Sequence, residues 1–387
     1  MMNYDEFKET IADEIKDFLP EKFEDSNVQI NTVQKNNEQL DGLTITSPDS
    51  NVSPTIYLNS YYESYQDGES IEDILQNIAT VRMDHEVDKS FDITKITDFE
   101  QAKDHIAPRV IGMEDNAELL AQRPHSEMDD LAVTYCVMLG SDENGSMSVP
   151  ITNQLMESWG VTQEELHDIA ISNLESLSPS TFKSMNEVMA EMMLPQMIEE
   201  CGGDRDMAEA MLSAMMPPEE KMYVISNEEK LNGAAALLDD KLMDSIREKI
   251  GDDFFILPSS IHECLVVPAD AGMELRDLEN MVKEVNETQV APQDRLSDYV
   301  YQYDADSHEV FRADRADERQ AEKEAAKEAA KEDKTPAKGE KAVDKKVEKE
   351  ETRASLKERL AEKKKEIASG EKKEPAKDLG KKKETVI

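Results

Sequence analysis

The composition of the chain changes abruptly near residue 311. Residues 320–387 contain no Phe, Tyr, Trp, Met, His or Cys. A segment without these side chains cannot bury enough apolar surface to offset the entropy that it loses on ordering. We therefore expect the packed core within residues 1–310. Residues 311–387 are predicted to be a Lys/Glu/Ala-rich tail, either disordered with helical patches such as "EKEAAKEAAKE" or a single solvated helix.

The charge is divided as unevenly as the composition. The chain holds 44 Lys and Arg and 86 Asp and Glu; residues 311–387 take 24 and 20 of these, so residues 1–310 keep 20 basic and 66 acidic groups. Such a polyanion repels phosphate backbones and anionic membrane surfaces. It attracts basic proteins over long range. We expect protein partners, basic ones among them, and neither direct nucleic-acid nor membrane binding. The oligomeric state stays open.

The location of the chain is predicted to be cytoplasmic. Its start, "MMNYDEFKET", has neither the basic nor the apolar region of a secretion signal. The apolar-rich run Leu131–Leu139 is about half as long as the ~20 residues that span a bilayer. Cys136, Cys201 and Cys264 are odd in number and widely spaced, a pattern typical of reduced thiols.

Hydrophobic spacing predicts an α+β fold with small antiparallel sheets and flanking helices. Residues 1–90 are read as an N-terminal helix and small-sheet subdomain. Its strands are "VQINTV", "GLTITS" and "PTIYLN", with a turn at Asp41-Gly42 between the first two. Residues 91–310 are read as the main α+β region. There "DLAVTYCVML" and "MSVPIT" should pair as a hairpin, and Thr162 with Glu165 marks a helix start as a capping box.

Residues 181–222 form a predicted Met-rich helical hairpin, with "ECGGDRD" between its helices. They contain ten of the 21 methionines. Packing within the fold is the favoured interpretation. The alternatives are a groove for a partner's apolar helix, because Met adapts to irregular surfaces, and a copper(I) site, because thioethers are soft ligands. No cofactor is predicted.

The stretch "ILPSSIHECLVVPAD" supplies the site candidates Ser259, Ser260, His262 and Glu263. On an extended strand, Ser260 and His262 share a face but lie ~6.6 Å apart, and Glu263 points the other way. A nucleophile, base and orienting acid must touch in succession, so this stretch predicts no triad. Neighbours on a strand point to alternate sides, so His262, Glu263 and Cys264 do not form a metal site by themselves; a partly exposed or hydrogen-bonded His262 is favoured, and ligands brought together by the fold stay open. The stretch is read as two strands joined by a Ser-Ser corner that can present His262 and Glu263 to a ligand. No residue is predicted to be catalytic, cofactor-binding or metal-binding.

Several strings together resemble a known family. They are "DNAELL", "DLAVTY", "WGVTQEELHDIAISNL", "MYVISN", "NGAAALL" and "ILPSSIHECLVVP", in this order. They are similar to an uncharacterised family of Firmicutes proteins, catalogued as domain of unknown function 5688, over about residues 4–310. The resemblance implies a cytoplasmic protein, often from mobile-element neighbourhoods, and brings no activity, cofactor or site residue.

Three functions follow as expectations. The leading one is a non-enzymatic cytoplasmic interaction or accessory protein, linked through the resemblance to mobile genetic elements. The alternative is a hydrolase-type enzyme with a site near His262 and Glu263. The second alternative is an acidic decoy for a basic, nucleic-acid-handling protein. A pocket that unites His262 with another His, Cys or carboxylate would favour the enzyme.

Overall fold

The computed structural model describes residues 1–48, 50, 53–85, 91–142, 145–216, 221–251, 254–304, 307–321 and 323. The chain divides into two units, Met1–Ala313 and Asp314–Ile387. Both predicted regions, 1–90 and 91–310, lie in the first unit. Most of the predicted tail lies outside the described residues, so its predicted character stays a prediction.

Helices and strands alternate along the first unit. The α-helices of the described part are α1 (Tyr4–Glu14), α2 (Asn59–Gln66), α3 (Ile71–Asp84), α4 (Thr94–Thr97), α5 (Phe99–Ala102), α6 (Ala117–Leu120), α7 (Asn153–Trp159), α8 (Gln163–Leu177), α9 (Met185–Glu200), α10 (Arg205–Met215), α11 (Asp240–Ile250) and α12 (Leu275–Thr288). The strands are β1 (Asn27–Lys35), β2 (Glu38–Thr46), β3 (Thr55–Tyr57), β4 (Ile106–Gly112), β5 (His125–Met128), β6 (Leu131–Asp142), β7 (Gly145–Pro150), β8 (Ser180–Ser184), β9 (Tyr223–Asn227), β10 (Phe254–Leu257), β11 (Cys264–Pro268), β12 (Tyr301–Asp304) and β13 (Glu309–Arg312).

The strands form three antiparallel sheets. The first has the order β1-β2-β3. The second has the order β4-β6-β5, with β7 also paired to β6. The third has the order β13-β12-β10-β11-β9-β8. These sheets, with the helices around them, confirm the predicted α+β class.

The N-terminal sheet and its helices share a hydrophobic cluster of their own. Phe7 and Ile11 of α1 pack with Leu43 and Ile45 of β2 and with Ile74 of α3. The predicted turn at Asp41-Gly42 is wrong, because both residues lie inside β2, opposite Thr32 and Asn31 of β1. The turn lies instead at residues 36–37, where Asn37 adopts a left-handed φ of 60°. Asn tolerates this conformation better than most residues, which explains the register.

Two boundaries differ from the sequence prediction. Residues 181–184 are not helical: they belong to β8, which pairs with β9 at the edge of the third sheet. The reason is β-sheet pairing, since Phe182 of β8 lies opposite Ile225 of β9. Residues 311 and 312, assigned to the tail, belong to β13, where Phe311 pairs with Gln302.

The second and third sheets are packed through separate clusters. Val133, Tyr135 and Val137 of β6 meet Leu166 and Ala170 of α8 on one face of the second sheet. On the third sheet, Phe254 and Ile256 face a cluster with Met243 and Ile246 of α11. Leu257 and Val267 face the opposite side, toward Leu278 and Val282 of α12. Successive residues of these strands therefore pack against different helices, because side chains alternate between the two faces of a sheet.

Candidate functional site

The predicted Ser-Ser corner joins β10 to β11, and its hydrogen bonds close it on itself. Ser260 N–H donates to the Glu263 carbonyl at 3.2 Å, and His262 N–H donates to Ser260 Oγ at 3.0 Å. The strand–corner–strand prediction is confirmed. The assumption that residues 260–263 are extended is wrong, because β11 begins at Cys264. The Ser260 hydroxyl is occupied as a backbone acceptor, which stabilises the corner.

The His262 ring links this corner to two other segments. Its Nδ1 lies 3.0 Å from the backbone nitrogen of Asn232 and accepts that N–H. The proton of the neutral ring is therefore on Nε2, which lies 3.2 Å from Asp294 Oδ1. Both ring nitrogens have partners, so the geometry fixes the ring as a structural link between the corner, Asn232 and Asp294.

The four candidates do not form a chain of contacts typical of hydrolases. Ser259 Oγ is buried, and it has no hydrogen-bond partner among the described residues. Ser260 is 9% exposed, and Glu263 is exposed. Burial raises the pKa of the neighbouring Cys264 thiol well above its ordinary value, with a further contribution from the Glu263 charge. A thiol with a raised pKa stays protonated and is a poor nucleophile.

The Asn232 N–H that donates to His262 belongs to a tight polar loop, residues 227–233. The Asn227 side chain accepts the Leu231 N–H at 3.1 Å and donates to the Leu231 carbonyl at 2.9 Å and to Ser178 Oγ at 2.7 Å. Asn232 has a left-handed φ of 54°. At Gly233, a Cβ atom would collide with Ser226 and with the His262 carbonyl, so a larger residue fits only if these neighbouring atoms move.

This loop forms one wall of a small cleft. The wall contains Asn227, Glu229, Leu231 and Asn232, and the rest of the lining comes from residues 107–109 of β4, Met138 of β6 and the end of α8 at Leu177 and Ser178. The cleft was missed in the sequence, because four distant segments assemble it. The Asn232-Gly233 pair was the available signal, since it marks a turn with an unusual backbone.

The Met-rich hairpin consists of α9 and α10 joined at Cys201–Asp204. Of the sixteen residues of α9 only Met197 is buried, and it packs with Ala208 and Leu212 of α10. Six other methionines of the hairpin are exposed. We call them the methionine surface: Met189, Met192, Met193, Met207, Met211 and Met215. The favoured prediction, packing within the fold, is therefore wrong for these six, because the hairpin's own small cluster leaves them outside.

The exposure of these side chains is large. Met192 is 72% exposed and Met215 is 61% exposed. On α10, Met207, Met211 and Met215 recur every four residues and so lie along one helix face. Cys201 Sγ lies 3.7 Å from Met211 Sδ at the closed end of the hairpin.

No group of three or more His, Cys, Asp or Glu among the described residues is placed to hold a metal ion. No described helix is long and apolar enough to cross a membrane.

The family model described as "Family of unknown function (DUF5688)" matches residues 4–305, which is most of the chain. This match confirms the resemblance drawn from the sequence strings. No curated protein matches the chain, and no solved structure does either.

Proposed function

We propose that this chain, which belongs to the family of unknown function DUF5688, is a protein-interaction module. Its methionine surface would bind a basic amphipathic helix of a partner protein. The observation that carries the proposal is helix α9, which buries Met197 alone although ten of its sixteen residues are Met, Val, Ala, Leu, Ile or Pro. A helix that is apolar on most sides is ordinarily covered by other protein. A binding partner supplies that cover.

The side chains of this surface suit a helix as the ligand. Met is unbranched and polarisable, so a row of methionines adapts to apolar side chains of different shapes. An amphipathic helix lays its apolar face into such a surface, with anchors spaced three and four residues apart. The four-residue spacing of Met207, Met211 and Met215 along α10 matches that arrangement.

The charge around the methionine surface selects for a basic helix. Residues 185–216 contain seven acidic groups and one basic group, Arg205. Arg205 is paired with Glu209 at 2.8 Å, and Glu191 is paired with Lys183 and Lys230, so the negative charge of this surround comes from the other acidic groups of the hairpin. Apolar contact would supply most of the affinity, and the acidic rim would speed association and reject acidic helices.

Cellular location and the link to mobile elements rest on other observations. We place the interaction in the cytoplasm, in line with the free thiols of Cys136, Cys201 and Cys264. An accessory role for mobile genetic elements rests on the family resemblance. The hydrolase alternative loses support because the Ser260 hydroxyl and the His262 ring are each bound to backbone N–H groups. The decoy alternative rests on net charge. A peptide-binding experiment distinguishes it from the proposed interaction module.

The test is fluorescence anisotropy with the full chain and three labelled synthetic peptides about 18 residues long, enough to favour a stable helix. The first carries a Leu stripe and a Lys stripe on opposite helix faces. The second has the same composition in scrambled order, and the third replaces Lys by Glu. We expect saturable binding of the first peptide, at least tenfold weaker binding of the scrambled peptide, and none of the acidic one.

Two variants locate the site. Met192→Glu with Met211→Glu should weaken binding of the Leu/Lys peptide about a hundredfold, since each removes an apolar anchor of about 1–2 kcal/mol. Met273→Glu is the matched control, because Met273 is exposed (39%) but lies outside the hairpin. Equal binding of the ordered and scrambled peptides would mean recognition by charge alone, which contradicts this proposal and supports the decoy.

A further inference from the structure

Arg109 is a cation held in the second sheet without a carboxylate. It lies on β4 opposite Thr134 of β6. Its Nε donates to Cys136 Sγ at 3.1 Å, and its Nη2 donates to Ser148 Oγ at 2.8 Å. It takes part in no ion pair with another described residue. These neutral partners fix the guanidinium plane and leave its charge uncompensated, and Arg109 also lines the cleft.

Arg123 lies on the same side of this sheet. Leu119 and Leu120 of α6 pack on Ile111 and Ala132, which share the face of Arg109 by strand alternation, and Arg123 follows three residues later. Arg123 is half-buried, and its guanidinium has no hydrogen-bond or ion-pair partner in the described part of the chain. Thr134 pairs with Arg109 on one side and on the other with His125, which follows Arg123 by two residues, so sheet register brings the two arginines close together. Burial lowers the pKa of Arg123, and the positive charge of Arg109 lowers it further.

We propose that Arg109, which lines the cleft beside loop 227–233, and Arg123 together bind a small dianionic oxyanion of the phosphate-monoester kind. Two guanidinium groups offer forked donors that match phosphate oxygens. Two like charges held together in a partly buried place raise the free energy of the empty site, and a dianion removes that cost. The excess of 66 acidic over 20 basic residues in residues 1–310 makes such an uncompensated pair unusual for this chain.

One carboxylate counts against the anion. Glu229 lines the same cleft and is exposed. Its charge opposes an incoming dianion, though solvent screens it more than the half-buried Arg123. The proposal therefore predicts a gain of affinity when this charge is removed, which a purely structural role for the arginines does not. The site shares no residue with the methionine surface, so the two proposals stand or fall separately.

The test is isothermal titration of the full chain with inorganic phosphate, at constant ionic strength set with chloride. We expect saturable binding, with acetate at least tenfold weaker because it carries one charge. Arg123→Gln should weaken phosphate binding at least tenfold, and this change breaks no hydrogen bond between the side chain and another described residue. Arg109→Gln should do the same, and Glu229→Gln should tighten binding about twofold.

Arg276→Gln is the matched control. Arg276 is exposed on α12, and no ion pair joins it to another described residue. Its substitution should leave the affinity unchanged. The proposal is overturned if phosphate shows no saturable binding, if acetate binds equally well, or if Arg123→Gln and Arg276→Gln weaken binding alike. Should Arg109→Gln fail to fold, Arg123→Gln and Glu229→Gln still decide the question.

Discussion

Replacing His262 by Ala tests whether the corner is a structural link. The substitution removes the acceptor of the Asn232 N–H at 3.0 Å and the contact with Asp294 at 3.2 Å. Leaving a half-buried N–H unpaired costs about 1–3 kcal/mol, and a lost hydrogen bond about 0.5–1.5. The His262 and Asp294 side chains are 28% and 34% exposed, so solvent screening reduces the contribution of the His262–Asp294 contact to less than half of the value for a hydrogen bond. We expect the free energy of unfolding to fall by about 2–3 kcal/mol.

His262→Asn is the companion variant, because the Asn Oδ1 atom lies where the His Nδ1 atom was. It keeps an acceptor for the Asn232 N–H and loses only the contact with Asp294. The expected loss is about 1 kcal/mol or less for the remaining polar contact. The order of stability should be wild type, then His262→Asn, then His262→Ala.

Urea unfolding measures the series, with the fluorescence of Trp159 and far-ultraviolet circular dichroism as two probes. Trp159 is the single tryptophan of the chain and lies on α7, away from the corner. The slope against urea should be unchanged, since the surface exposed on unfolding is the same. The reasoning fails if His262→Ala costs less than about 0.5 kcal/mol, or if His262→Asn is as unstable as His262→Ala.

Two further substitutions test other parts of the fold. Gly233→Ala should destabilise by about 3 kcal/mol in the same urea assay, because the added Cβ would lie 2.8 Å from the Asn227 backbone nitrogen; Gly160→Ala, with open space but a φ of 71°, should cost only about 1 kcal/mol. Lys8→Met should cost about 1 kcal/mol at pH 7 by removing the 3.0 Å pair with Asp41. Burial alone would raise the pKa of Asp41, but hydrogen bonds led by Lys8 lower it below 3.8. The contribution is therefore present above that pH and lost as the pH falls through the lowered pKa, so the stabilities of wild type and Lys8→Met should converge in acid. A difference that does not shrink as the pH is lowered contradicts this prediction.

Local signals in the sequence predicted local structure well. The Thr162–Glu165 capping box forms as expected, with both reciprocal hydrogen bonds, because its members are three residues apart. The hairpin of β6 and β7 was also predicted, since the strands are adjacent in sequence. The prediction of a turn at Asp41-Gly42 failed because a turn-type dipeptide can lie inside a strand. Gly42 instead lets the Thr55 side chain of β3 approach closely.

The candidate site was only partly within reach of the sequence. Ser260 and His262 were identified as notable, yet the partners of His262 come from residues 32 positions away at Asp294 and 30 at Asn232. The position of Arg109 and Arg123 on the same side of the second sheet depends on sheet register and on the packing of α6. Strand periodicity gives the face of each residue but not which strands are neighbours.

The methionine surface is separable from the stability of the body. Met197, Ala208 and Leu212 give the hairpin a cluster of its own, and the exposed methionines point away from it. A side chain that is already in water contributes little to the free energy of unfolding, so its replacement by Glu should leave the fold intact. A substitution inside the cluster, such as Ala208→Glu, buries a charge and should unfold the hairpin. Loss of peptide binding in the first case without loss of helix content would therefore report on recognition itself.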